Sequence, residues 1–218
     1  SKSPYNIIND LEEKIMRLFG VIQNRELCAT LCELVSKEIA TKERHKEVKE
    51  MVPDSEVMMA FKTYYLNRTS YSGIINTPAW GYVDGKSSPP RNWPRFLKNA
   101  SDKLQGVELY STDFSEIIQL KSKGRKVIMY LDPPYVTADQ RRAYTKPFLM
   151  EDHIRLAGML KDTLYHFCLS YDDCTEVRQL YSWANIFDVG WLYNTDNAGG
   201  QTRKKGEELI ITNYDVIF

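Results

Sequence analysis

Apolar residues recur at helical spacing along "NDLEEKIMRLFGVIQ", where Leu11, Ile15, Leu18, Phe19 and Ile22 fall on one face. Before them, Ile7-Ile8 and then Asn9-Asp10 read as the end of a strand and an acidic turn, with Asp10 able to cap the helix by accepting an orphan backbone N–H. A second helix is predicted near Glu26 to Ile39. "TKERHKEVKE" is charged throughout and predicts a solvated helix or loop, after which Pro53-Asp54 starts a helix through Met58, Phe61 and Tyr65. From Asn67 to Gly106 the periodicity lapses into Gly, Pro, Asn, Ser and aromatics, the pattern of a long functional loop or a small inserted subdomain, closed by a short helix in "RFLKNASDKLQG". Alternation then resumes. "VELYS" predicts a strand, "DFSEIIQLKSKG" a capped helix, "KVIMYL" a buried strand, "MEDHIRLAGMLKD" a helix, "YHFCLS" a strand and "DDCTEVRQLYSW" a helix. "IFDVGWLY" and "GEELIITNY" close the chain as two strands with a polar loop between them. The pattern predicts an α/β fold, a doubly wound and mostly parallel sheet with an antiparallel hairpin at its edge.

Length and composition narrow this picture. The 218 residues suffice for one sizeable domain, or one domain carrying a smaller insertion. No run is long and apolar enough to span a membrane, and no stretch resembles a signal peptide, so a cytoplasmic protein without a membrane partner is expected. Cys28, Cys32, Cys168 and Cys174 have neither disulfide-framework nor zinc spacing; Cys28 and Cys32 share a helix face and read as buried, reduced thiols. No metal site is expected, since acids and imidazoles do not cluster at ligand spacing. The 29 Lys and Arg balance 29 Asp and Glu, so only the local distribution of charge bears on nucleic acid. Between residues 86 and 105, Lys86, Arg91, Arg95, Lys98 and Lys103 oppose only Asp102, and Arg203, Lys204 and Lys205 form a second basic cluster. Taken alone, either cluster reads first as a solvated face.

The densest chemical signal is "MYLDPPY", residues 129–135. In open α/β sheets ligands sit beyond the carboxyl ends of the strands, and Asp132 is delivered to such an edge. Pro133 and Pro134 fix their own φ, push the preceding residue out of helical geometry and remove two backbone donors. What remains is a stiff patch of acceptors, one of them charged, beside the Tyr135 ring. Such a patch suits methyl transfer to a planar amine. Hydrogen bonds from both N–H groups, to the Asp132 carboxylate and the Pro133 carbonyl, would free a lone pair otherwise delocalised into the ring. They would also strengthen as positive charge develops on nitrogen. Tyr135 would stack on the base. A chance match to these four letters in 218 positions has odds of roughly one in a thousand. His153 and His166 are read as packing or partly exposed residues, because this chemistry needs no histidine base.

Around this motif the sequence resembles the Dam-type adenine-N6 DNA methyltransferases over nearly its whole length. "YNIINDLEEKIMRLF" is similar to the family's second strand and helix, which implies that Asp10 binds the cofactor ribose. "VELYSTDFSEII" is similar to the segment whose Asp113 and Phe114 would line the cofactor adenine pocket. Asp132, Pro133, Pro134 and Tyr135 would be the catalytic motif, with Asp132 also at the cofactor. "LNRTSYSGIINTPAWGY" resembles the start of the target-recognition insertion. The domain expectation is therefore a catalytic domain in 1–66 and 107–218 with an insertion in 67–106. The resemblance implies S-adenosylmethionine as methyl donor, no metal, and double-stranded DNA as partner, in one of three roles it leaves open: modification alongside a cognate restriction enzyme in the same system, phage self-protection or replication marking. It makes Asn67, Arg68 and Tyr71 candidates for contacts near the target, and Arg91, Arg95 and Lys98 candidates for phosphates. Trp80 and Trp93 would pack the insertion. "DQRRAYTKPF" would form a flap, with Arg141, Arg142 and Tyr144 facing DNA or solvent. The family's early lysine and glycine-rich cofactor loop do not occur in this sequence, whose opening "SKSPYNII" matches the strand after that loop, so that segment is expected upstream of Ser1. The alternatives are a catalytically inactive DNA-binding subunit or fragment of the same fold, and an amino-methyltransferase acting on RNA or protein.

Overall fold

Strand β1 (Asn6–Asn9) lies parallel to β2 (Val107–Tyr110), with Asn6 opposite Val107 and Asn9 opposite Tyr110. A parallel pair needs a long crossover, and here the crossover is helical: α1 (Glu13–Gln23), α2 (Arg25–Ser36), α3 (Lys42–Glu50), α4 (Glu56–Thr69) and α5 (Trp93–Leu104). The computed structural model describes residues 5–122, 126–138, 140, 145–192 and 205–216, with backbone alone at 191–192 and 205–207. The chain divides into two compact units, Ser1–Phe114 with Arg141–Thr145, and Ser115–Gln140 with Lys146–Phe218.

In the first unit the breaks between helices are chemical. Asn24 separates α1 from α2 because its Oδ1 accepts the Glu26 and Leu27 N–H groups at 3.0 and 3.2 Å. Asp10 does not cap α1. Glu12 holds the N-cap position, and Asp10 Oδ1 instead takes the Glu12 N–H at 2.7 Å, an Asx turn that bends the chain off β1. Helix α3 is less solvated than its charges predict: His45 and Val48, three apart, turn inward and are buried. Helix α4 starts after a Ser55 cap and runs past Asn67 to Thr69. It packs against α1, α2 and α3, which is why Ala60, Phe61, Thr63, Tyr64, Tyr65, Leu66 and Thr69 are buried around most of its circumference. Helix α5 joins this core through Trp93, Leu97 and Leu104. Cys28 and Cys32 are buried free thiols there, with burial pushing Cys32 up to about 11.

After β2 comes a helix shorter than predicted, α6 (Phe114–Ile118). The second unit is built on β3 (Ile128–Leu131), β4 (His166–Asp172), β5 (Asn185–Leu192) and β6 (Lys205–Thr212), in the order β3-β4-β6-β5. β3 and β4 are parallel, joined through α7 (Met150–Asp162), while β6 runs antiparallel to β4 and β5. A short α8 (Thr175–Leu180) links β4 to β5. The fold is mixed α/β, and its described strands form a parallel pair and a four-stranded sheet. β3 is not the buried strand its apolar letters predict: Ile128 and Tyr130 are 67% and 68% exposed, because β3 is the outer strand of its sheet and keeps one face uncovered. β4 is the buried one, with Phe167, Leu169 and Tyr171 fully enclosed.

Candidate active site

β3 ends at Leu131, opposite Leu169 of β4, so the next residue, Asp132, emerges beside Ser170 at the carboxyl end of a parallel pair. The Ser170 hydroxyl donates to Asp132 Oδ1 at 3.0 Å. The same hydroxyl lies 3.4 Å from the Leu131 carbonyl, and the Tyr130 hydroxyl, 3.2 Å away, completes its partners. The relay Tyr130–Ser170–Asp132 fixes the carboxylate's orientation while leaving Asp132 exposed.

The segment after the two prolines is held by a residue that the motif does not contain. Asp172, at the end of β4 and 8% exposed, accepts the Val136 N–H through Oδ1 at 3.0 Å. Its Oδ2 accepts the Thr137 N–H and hydroxyl at 2.8 and 2.6 Å. The turn after Tyr135 is thus clamped to β4 by one buried carboxylate making three charge-assisted bonds. Gln140 closes the next stretch, donating to the Phe148 carbonyl at 3.0 Å and accepting the Phe148 N–H at 2.7 Å. The Tyr135 ring lies 6.2 Å from Tyr171, whose hydroxyl hydrogen-bonds His153 Nδ1. Burial pushes the Tyr171 and Tyr181 phenols well above their ordinary range. Burial also holds His153 below its ordinary value, against the opposing pull of Asp172 and Asp152. The floor under Tyr135 is therefore aromatic. His153 is buried packing, and His166 lies at an exposed strand end against Tyr214.

In the first unit, the β1–β2 pair carries Asp10 and Asp113 to one carboxyl edge. Asn9 extends the pairing with its side chain, accepting the Thr112 N–H and donating to the Thr112 carbonyl, both at 3.0 Å. Asp113 and then Phe114, the first residue of α6, come directly after. Burial pushes the Asp10 carboxyl up, the Glu12 N–H bond works against that shift, and the Glu12 charge adds to it. Glu12 itself accepts from Asn76 at 3.1 Å and from the Thr145 hydroxyl. These bonds, with Lys14 nearby, outweigh burial and hold its carboxyl low.

Residues 70–81 form a loop stapled to the end of α4. Ser70 bridges Trp80 in antiparallel fashion, Tyr71 N–H donates to the Ala79 carbonyl and Gly81 N–H to that of Thr69, both at 2.9 Å. Asn67 donates to the Gly73 carbonyl at 3.0 Å. Tyr71 projects outward, 58% exposed. Arg91 is exposed in the 3₁₀ turn Pro90–Asn92. Arg95 and Lys98 are exposed on α5, and Arg68 lies beside the Phe96 ring. Trp93 is fully buried, donating to the Ser88 carbonyl at 3.0 Å, while Trp80 packs edge-on to His45. Arg141, Arg142, Tyr144, Arg203 and Lys204 lie outside the described residues, as does the side chain of Lys205.

Sequence reasoning missed Asp172, Ser170 and Asn9. "SYDD" offers two adjacent acids with nothing local to say which is buried, and the partners of Ser170 and Asn9 are set by strand register.

Parallel strand β3 thus ends in a carboxylate held by Ser170 and two prolines, followed by a tyrosine beside Tyr171. The family model of the D12 class N6 adenine-specific DNA methyltransferases matches residues 2–195, and this chain belongs to that family. The chain is 27% identical over 177 residues to the type II methyltransferase M1.LlaDCHI of Lactococcus lactis subsp. cremoris, which covers 73% of this chain and 60% of that protein. It is 24% identical over 184 residues to the type II methyltransferase M.CviBI of Paramecium bursaria Chlorella virus NC1A, covering 80% and 67% respectively. The chain thus spans about three fifths of the first of these relatives.

Proposed function

We propose that this chain carries the catalytic region of an enzyme that methylates the exocyclic amino group of a flipped adenine in duplex DNA. The observation that carries this reading is the Asp132 carboxylate, held at the end of β3 by Ser170 and followed by two prolines and Tyr135. Asp132 and the Pro133 carbonyl accept the two amino protons, so the nitrogen lone pair is turned away from the base ring. As the nitrogen becomes cationic both bonds strengthen, which lowers the barrier selectively. Tyr135 holds the base against rotation. The amine releases its proton to water afterwards.

The donor set suits S-adenosylmethionine: a carboxylate at a strand end matches two ribose hydroxyls, so Asp10 would hold the sugar, and Asp113 with Phe114 the adenine. When bound, this cofactor supplies the electrophilic methyl group. Within this reading the fold is a doubly wound, Rossmann-like methyltransferase, and residues 67–106 are its target-recognition insertion. Asn67 shapes the loop that presents Tyr71 to the target, and Arg91, Arg95 and Lys98 meet phosphates. The type II naming of both relatives supports a restriction endonuclease of matching specificity in the same system. Among the described residues no helix is long and apolar enough to cross a membrane.

The test is tritiated methyl transfer to mixed-sequence duplex DNA by the natural full-length protein and its Asp132→Ala variant. The variant should lose at least about 100-fold in rate with duplex affinity largely kept, since Asp132 reads the base and not the backbone. Equal rates would refute the base-clamp role. Label entering single-stranded RNA or a protein amide in preference to duplex DNA would move the substrate elsewhere.

A further inference from the structure

Tyr64 and Arg68 lie one turn apart on the same face of α4. Tyr64 is 8% exposed and its ring packs edge-on to Trp93, with centroids 5.9 Å apart. Its hydroxyl is buried without a hydrogen-bond partner among the described residues, and so is Nε of Arg68. Two adjacent orphaned donors, one of them on a cation, are costly to keep. Among the described residues Arg68 has no acidic partner in any ion pair. Instead its guanidinium stands 5.5 Å from the centroid of Phe96, and that of Arg95 stands 5.4 Å from the same centroid. Two like charges therefore share one ring, and no Asp or Glu occurs in the sequence from Gly85 to Ser101. Lys98 adds a further cation one turn beyond Arg95.

Every polar group gathered here can donate, and none carries negative charge. Burial pushes the Tyr64 phenol up to about 12, with the Arg68 charge pulling the other way, so the hydroxyl stays a donor at neutral pH. The complement of such a set is an anion with several acceptor oxygens, and a guanidinium fork fits a phosphate in two-pronged fashion. Cation–π contact with Phe96 fixes the two forks without neutralising them.

We propose that Tyr64, Arg68 and Arg95, posted on Phe96, form a clamp for one phosphodiester of the DNA backbone. The proposal rests on the duplex-DNA reading for its source of phosphate. It moves Arg68 from the target base to the backbone, and adds Tyr64 and Phe96, which the sequence did not single out. Tyr64 contributes a neutral donor and the two arginines contribute charge, so their variants have different signatures.

Two measurements on the parent chain, Tyr64→Phe, Arg68→Gln and Arg95→Gln test it. In thermal melts at matched ionic strength, inorganic phosphate should stabilise the parent relative to chloride, and both Tyr64→Phe and Arg68→Gln should lose most of that gain. In fluorescence anisotropy with labelled duplex over a range of KCl, each arginine variant should bind roughly 10-fold more weakly or worse. Each should also flatten the slope of log affinity against log salt by about 0.9. Tyr64→Phe, which keeps the ring against Trp93, should weaken binding by roughly 2- to 10-fold at an unchanged slope. Parental affinity and slope in Tyr64→Phe and Arg68→Gln would overturn the clamp. A phosphate effect lost in the variants, with duplex affinity intact, would make the ligand a free oxyanion and overturn the backbone assignment. A parent that binds no duplex would overturn that assignment through the DNA reading itself, an outcome visible before any variant is compared.

Discussion

Asp132 and Asp172 are both aspartates at the carboxyl ends of neighbouring parallel strands, yet their surroundings give them opposite tasks. Asp132 is exposed and, among the described residues, takes one hydrogen bond, from Ser170, so it retains acceptor capacity for a ligand. Asp172 is buried and is committed to Val136 and Thr137. Asp172 is thus a positioning residue that sets where the Pro-Pro-Tyr turn sits. Removing it frees the turn, and misplacement of reacting groups by about 1 Å costs on the order of 100-fold. Asp172→Ala should therefore lower kcat by roughly 10- to 100-fold with duplex affinity unchanged. Asp172→Asn, which keeps one acceptor oxygen, should recover part of the loss. Steady-state kinetics of both variants would check this, and equal defects in the two would mean that charge near the site, rather than the clamp, is what matters. The Asp-Pro-Pro-Tyr motif was legible in the sequence because its chemistry is local. The clamp was not, because Asp172 reaches residues 136 and 137 only through the register of β3 on β4.

Elements show the same division between local and tertiary information. Helices α1, α2 and α7 could be read from their periodicity, since each presents one apolar stripe. α3 misled because two inward residues in a charged run carry little apolar signal, and one of them is a histidine. β3 misled in the opposite sense: its apolar letters suit a covered strand, but it is the outer one of its sheet. The loop after α4 shows how far local chemistry can go and where it stops. Its glycines announced turns, but only the folded backbone shows that a Cβ on Gly81 would sit 2.3 Å from both Cα and N of Tyr71. Gly81→Ala must push apart the Ser70–Trp80 bridge, an overpacking cost of about 1–3 kcal/mol. Gly20, inside α1, meets nothing within 4 Å when a Cβ is added. Gly20→Ala should gain up to about 1 kcal/mol from helix propensity. Paired thermal melts should move in opposite directions, Gly81→Ala falling by roughly 2–12 °C and Gly20→Ala rising. A Gly81→Ala protein with the parental melting temperature would mean that the loop opens without cost to the fold.

For the molecule as a whole, the acid limb of stability is set in part by two buried histidines, one in each compact unit. His45 is buried beside Thr69, its Nδ1 2.8 Å from the Thr69 hydroxyl, and His153 is buried against Tyr171 and Phe148. Burial holds both below the ordinary histidine value; the Pro78 carbonyl opposes this at His45 while Lys49 adds to it, and Asp172 and Asp152 oppose it at His153. The sign comes from proton counting. Below the unfolded value of about 6.5, the unfolded chain takes up protons that the native chain refuses, so the native state loses stability as pH falls and keeps it above that range. Each histidine adds at most about 1.4 kcal/mol per pH unit of slope, until its own folded value is reached. Calorimetry between pH 7.5 and 5 should show the melting temperature dropping toward acid. His45→Gln and His153→Gln should each flatten that drop, whatever they do to stability at pH 7.5. Should the two units melt as separate transitions, His45→Gln should flatten only the transition of the first unit and His153→Gln only that of the second. A single transition flattened by either substitution would instead mark one cooperative fold. Parallel acid limbs in the parent and both variants would show that neither imidazole resists protonation in the native chain.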